Sequence, residues 1–173
     1  MRLRSTKLHK KFLAVLLLAG PATVLTPVLT AAKAATPIEA APAEGVIKQK
    51  SDYDFDETVT RLKADIATKG IKFFDEIDQT ALGAGADLPI NRSKLLLFGN
   101  PPLGVQFLQS NPLAGLDWPV RMLVTQDDNG LVWVSWTDFR FVANRYKLED
   151  RDAQIAMASE VSASIASATR KQP

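Results

Sequence analysis

Lys94-Leu95-Leu96-Leu97-Phe98-Gly99-Asn100-Pro101 is the stretch whose reading decides the fold. Four consecutive apolar residues are satisfied only by burial on both faces, which marks a central strand. Gly99-Asn100-Pro101 then sets three different turn-formers in a row and ends any ladder. Helices and further strands are expected on either side of this floor.

Upstream, Asp54 suits a helix N-cap and Glu57 stands three residues on, the spacing of a capping box. Phe55, Val59, Leu62 and Ile66 follow at helical steps, so one stripe faces a core. Gly70 ends that helix as a left-handed residue. Ile71, Phe73 and Ile77 read as one face of the next strand, with a bulge at Phe74 where the alternation breaks. Residues 79–91 carry Gly83, Gly85 and Pro89 with little periodicity and read as a loop. Val46 to Lys50 is a thin candidate for a first strand.

Downstream there is room for one helical turn between Leu103 and Leu108 before Asn111-Pro112 stops it. Val120, Met122 and Val124 alternate along a further strand. Asn129-Gly130 is a strong hairpin signal, because both residue types tolerate positive φ. Leu131 to Trp136 returns as its partner. Asp138 caps a short helix with Phe139, Val142, Ala143 and Tyr146 inward. A last helix from about Glu149 sets Ile155, Ala158, Val161 and Ile165 in a stripe of mostly small residues. The order predicts an α+β fold, an antiparallel sheet of about five strands with helices on one face.

The N-terminus has the layout of a secretory signal. Arg2, Arg4, Lys7, Lys10 and Lys11 form a basic segment, Phe12 to Ala19 is apolar, and Ala32-Lys33-Ala34 offers a signal-peptidase pattern. The apolar run is broken by Pro21 and Pro27 and falls short of the roughly 20 residues a span requires. Residues 1–34 are therefore expected to be a signal peptide cleaved after Ala34, with 35–45 a Pro/Ala-rich leader and 46–170 a single domain. The expected location is the periplasm or the exterior, with membrane contact only through the signal.

Removing the six basic residues of 1–34, Lys33 included, from the total of 21 leaves 15 against 19 acidic ones, a net of −4. A mildly acidic chain offers no field for nucleic acid. There is no cysteine, and the one histidine, His9, lies in the signal. A mature chain without His or Cys lacks the commonest general base, the nucleophilic pairs and most transition-metal ligands. Catalysis is not expected, nor is a metal or cofactor.

Several motifs together are similar to one family. Asp54-Phe55-Asp56-Glu57-Thr58-Val59, Gly70-Ile71, Glu76-Ile77-Asp78, Leu97-Phe98-Gly99-Asn100-Pro101, Asn111-Pro112-Leu113, Leu116-Asp117-Trp118-Pro119 and Val132-Trp133-Val134-Ser135 resemble the family catalogued as domain of unknown function 302. The resemblance runs from about Val46 to the C-terminus. It implies a β-α-β(4)-α fold of the TATA-box-binding-protein type and small domains that associate as dimers; it implies no assigned activity. Where family members carry a His after the Asp matching Asp78, this chain has Gln79, so any ligand or acid–base role of that His is missing here.

The candidate ligand-binding residues are Asp78, Gln79, Asn100, Asn111, Asp117 and Arg121. Asn100 and Asn111 each precede a proline and equally suit tying loop backbone. Arg121 stands four residues after Asp117, ready to pair with it or with Asp78. Trp118, Trp133, Trp136, Phe98 and Phe107 suit either a core or an apolar cavity. The leading expectation is a binding module for a small apolar ligand, seated between the sheet and the last helix, near residues 79–91 and the Gly99–Gly104 turn. The alternative is a homodimeric envelope protein. A third reading, a carboxylate-based or metal-assisted hydrolase, needs Asp75, Asp78 and Asp87 to converge.

Overall fold

The structure is a computed structural model and describes residues 44–171. The signal-like segment, its cleavage point after Ala34, His9 and most of the leader lie outside the described residues.

Five strands and five α-helices follow in the order β1 (Val46–Lys50), α1 (Phe55–Thr68), β2 (Lys72–Asp78), α2 (Gln79–Gly85), β3 (Ser93–Gly99), α3 (Pro101–Ser110), β4 (Val120–Gln126), β5 (Val132–Thr137), α4 (Phe139–Tyr146) and α5 (Asp152–Ser167). A 3₁₀ turn, Pro112–Leu116, links α3 to β4. The sheet runs β1-β5-β4-β3-β2 and every pairing is antiparallel. The α+β class and the five antiparallel strands are as the sequence predicts.

Local chemistry sets several boundaries. Asp54 accepts the backbone N–H of Glu57 at 2.9 Å and starts α1, and Gly70 ends it at φ +65°. Asp127 accepts the N–H groups of Asn129 and Leu131 and the Trp133 indole N–H, which fixes the β4–β5 hairpin. Of the pair at the tip, only Gly130 takes positive φ.

Three readings change. Residues 79–85 are helical, not loop: Asp78 caps them by accepting the Ala81 N–H at 2.9 Å. The segment after Gly99 makes α3, ten residues rather than one turn. The bulge between Phe73 and Asp75 is present, and it reverses the alternation after it. Ile77 consequently pairs with Leu95 on the open face, while Glu76 takes the inner parity beside Leu96 and binds Lys63 of α1 at 2.8 Å.

One face of the sheet is packed. Leu96, Met122, Val124 and Val134 are fully buried against Leu62 and Ile66 of α1 and Ile165 of α5. A second cluster joins Phe107 of α3, Phe139, Val142 and Tyr146 of α4, and Ile155 and Ala158 of α5. The opposite sheet face is different. Leu95, Leu97 and Leu123 are half-buried and belong to neither cluster. The Leu95–Phe98 run is thus an interior strand next to the sheet centre, and only one of its faces is sealed. β4 holds the middle place.

Candidate functional site

The two core clusters do not close on one another completely. At their seam lies a chamber of about 280 Å³, bounded by Phe98 from the first cluster and by Phe107, Phe139 and Ala158 from the second. Ile71, Leu103, Val120, Met157 and Val161 complete an apolar wall. The small residues of α5 leave this space: Ala158 and Ser162, one turn apart, face it where longer side chains would reach the sheet.

Trp118 forms one end of the chamber. Its indole stands against Gly99 and Gly104, and a Cβ placed on Gly104 would lie 1.9 Å from Trp118 Nε1. On its other side Phe74 meets it edge-on, with ring centroids 5.9 Å apart at 79°. The Trp118–Pro119 peptide bond is cis.

The residue before this tryptophan is held by a polar cluster. The side chain of Asp117 is 8% exposed and pairs with Arg121, with Arg145 at 3.4 Å, and with the Tyr146 hydroxyl at 2.6 Å. That hydroxyl donates to Asp117, and the bond, reinforced by desolvation, holds the Tyr146 pKa above its ordinary value. Asn111 joins the same group by donating its amide to the Tyr146 carbonyl at 2.8 Å, while its side-chain oxygen accepts the Leu113 N–H.

The six sequence-selected residues therefore fall in three places. Asn111, Asp117 and Arg121 come together around Tyr146 and brace the Trp118 turn. Asn100 lines the chamber. Asp78 and Gln79 sit at the other end of β3: Asp78 caps α2 and lies 3.8 Å from Lys94, and Gln79 accepts the Ser93 hydroxyl at 2.6 Å. The expectation that residues 79–91 border the same site fails for a geometric reason. They follow Asp78, which pairs with Lys94, whereas the Gly99 turn is opposite Lys72. Arg121 pairs with Asp117 and not with Asp78.

Of the carboxylates weighed for hydrolysis, Asp75 and Asp78 each accept a local backbone N–H. Asp75 accepts the Glu76 N–H, and Glu76 is held below the usual carboxylate range by hydrogen bonds from Lys63 and Lys94. Among the described residues no three His, Asp or Glu side chains gather where they would hold a metal ion.

Sequence reasoning missed Ser162 and Lys69. Ser162 is 1% exposed, lines the chamber, and its hydroxyl enters none of the hydrogen bonds among the described residues. The only hint was the run of small residues in α5. Lys69 also borders the chamber, with its amine on Asp65 at 2.6 Å.

Comparison with known proteins adds three findings. The chain is 32% identical over 104 residues to proteins named fluoride-specific ion channel FluC 1 from Brucella suis and from Brucella abortus; the match covers 60% of this chain and 41% and 38% of those two. The chain thus spans about two fifths of the length of these curated relatives. Among the described residues no helix is long and apolar enough to cross a membrane. A crystal structure of an uncharacterized conserved protein DUF302 from Bacillus stearothermophilus superposes with a TM-score of 0.67 at 17% identity, covering 74% of this chain and 100% of that one. At that identity the likeness speaks for the fold. The profile of the family described as domain of unknown function DUF302 matches residues 47–171, nearly all that the structure describes, and the chain belongs to that family.

Proposed function

We propose that the chain is an exported, non-catalytic module that binds a small apolar molecule in the chamber between α3, α5 and the end of β3. The observation that carries this is the chamber itself. It is a recess of about 280 Å³ walled by buried Phe98, Phe107, Ala158 and Ser162 and rimmed by exposed Asn100 and Met157. Aromatic and aliphatic walls with a few polar groups are the usual make-up of a small-molecule site. Export is supported by the basic, apolar and Ala-x-Ala order of residues 1–34. The fluoride channel activity named for the Brucella proteins does not enter this reading, because the match covers only about two fifths of them.

The test is titration with N-phenyl-1-naphthylamine, whose fluorescence rises in apolar surroundings. Saturable enhancement is expected, and Ala158→Phe, which fills the chamber, is expected to abolish it with the circular dichroism unchanged. A linear response, or equal saturation in the variant, sinks the proposal.

A second reading rests on a separate observation. Ile77, Leu95, Leu97 and Leu123 share the open sheet face and are only half-buried, a surface suited to a second copy of the chain. Light scattering of the wild type and of Leu123→Lys tests it. A dimer that the lysine splits supports this reading, and a wild-type monomer removes it.

A further inference from the structure

We infer that the molecule held in the chamber is an uncharged amphiphile: an apolar body that fits a recess of about 280 Å³, bearing a hydroxyl or carbonyl oxygen. This rests on the binding reading above and adds the chemistry of what is bound. It follows from how the charged groups and the neutral polar groups are disposed around the cavity.

The chamber has a neighbour. A second hollow of about 230 Å³ shares Asn100, Leu103 and Met157 with it and adds the side-chain amides of Gln106 and Gln154. The apolar space therefore borders an amide-lined hollow across Leu103 and Met157. A molecule that is apolar at one end and polar at the other fits this gradient.

Little charge faces that molecule. Among the described residues no acidic side chain lines either hollow, and Lys69 is committed to Asp65 at 2.6 Å. Arg151, beyond the second hollow, is committed to Asp150 at 2.7 Å and to the Gln106 carbonyl at 3.1 Å. The start of α3 offers no anion site either. Its first two residues, Pro101 and Pro102, have no N–H, and the N–H groups of Leu103 and Gly104 are donated to the Asn100 carbonyl. A cation entering here would lose hydration without meeting an acidic side chain, and an anion would compete with Asp65 for the single ammonium.

Neutral hydrogen-bonding capacity is available. The Ser162 hydroxyl is buried inside, and the Asn100 amide stands where the two hollows meet; neither enters any hydrogen bond among the described residues. Ser162 lines the chamber, so its hydroxyl pairs with whatever fills that space, and an oxygen-bearing ligand can take the place of water there.

The experiment is displacement of N-phenyl-1-naphthylamine from the full chain at pH 7 by octan-1-ol, octanoate and octylammonium. Octan-1-ol is expected to compete at least about tenfold better than either ion. In Ser162→Ala and in Asn100→Ala, the affinity for octan-1-ol relative to the probe is expected to fall about three- to tenfold, the size of one neutral hydrogen bond. Octanoate competing as well as octan-1-ol, or an unchanged ratio in both variants, overturns this inference and leaves an apolar site. A wild-type chain that never takes up the probe overturns the binding reading as well.

Discussion

The indole of Trp118 occupies the space that a side chain at Gly104 would need, with an ideal Cβ there only 1.9 Å from Trp118 Nε1. Gly104 is buried on α3, and Trp118 ends the chamber, so one contact sets both the helix position and the wall. Gly104→Ala must push the ring away. The expected cost is about 1–3 kcal/mol, typical of overpacking. The measurements are urea denaturation and tryptophan fluorescence, and an unshifted emission spectrum would show that the ring had not moved.

Gly70→Ala separates conformation from crowding. Gly70 has φ +65°, and a Cβ there would meet nothing within 4 Å. The expected loss is the left-handed backbone cost alone, about 1–2 kcal/mol, with the tryptophan spectrum unchanged. Gly70→Asn is expected to recover part of it, since Asn tolerates this region better.

Tyr146→Phe removes one of the donors that Asp117 accepts. A lower urea midpoint is expected, together with a weaker alkaline decline. The Asp117 hydrogen bond raises the Tyr146 pKa in the folded state, so its contribution is complete below the unfolded tyrosine value of about 10 and is lost as pH rises through the folded value. Denaturation curves across pH 9 to 12 read this directly, and parallel curves for wild type and variant would refute it.

Glu76→Gln tests the acid side. Hydrogen bonds from Lys63 and Lys94 lower the Glu76 pKa, so its contribution is present above the unfolded value, about 4.3, and is lost as pH falls through the folded one. The wild type is expected to lose stability more steeply than Glu76→Gln as the pH drops below about 4.5, and identical acid limbs would contradict this.

Much of the fold was legible because its signals are local. Asp54, the Phe55–Ile66 stripe and Gly70 lie within one helix, and the hairpin at Asn129-Gly130 declares itself in a few residues. α2 was not legible. Its glycines disfavour a helix, and the Asp78 cap and the contact of Gly83 with Leu88 are what allow it. Ile77 was placed on the wrong face because the bulge at Phe74, though foreseen, was not carried through to the residues after it. In the candidate site, the spacing of Asp117 and Arg121 offered their pairing beside one with Asp78, and Asn100 borders the chamber from the turn after β3. Asp78 and Gln79 entered through the family resemblance, at the position where a His is expected, and no local signal shows that they stand at the far end of β3 from Asn100. Ser162 carried only the faint signal of its small-residue helix: such a serine looks like surface until a second helix is packed against it.

The first and last elements of the domain share one edge of the sheet. Gln49 of β1 donates to the Ala166 carbonyl at 2.8 Å, Arg170 reaches the Lys50 carbonyl at 3.2 Å, and Asp52 accepts the Lys171 N–H at 2.9 Å. Both ends of the polypeptide path therefore border a single strand, on the outside of the fold. Such a unit is portable. A longer chain can carry it as an insert or an appendage without threading through it, and relatives in which the matching stretch makes up about two fifths of the polypeptide are what that portability allows.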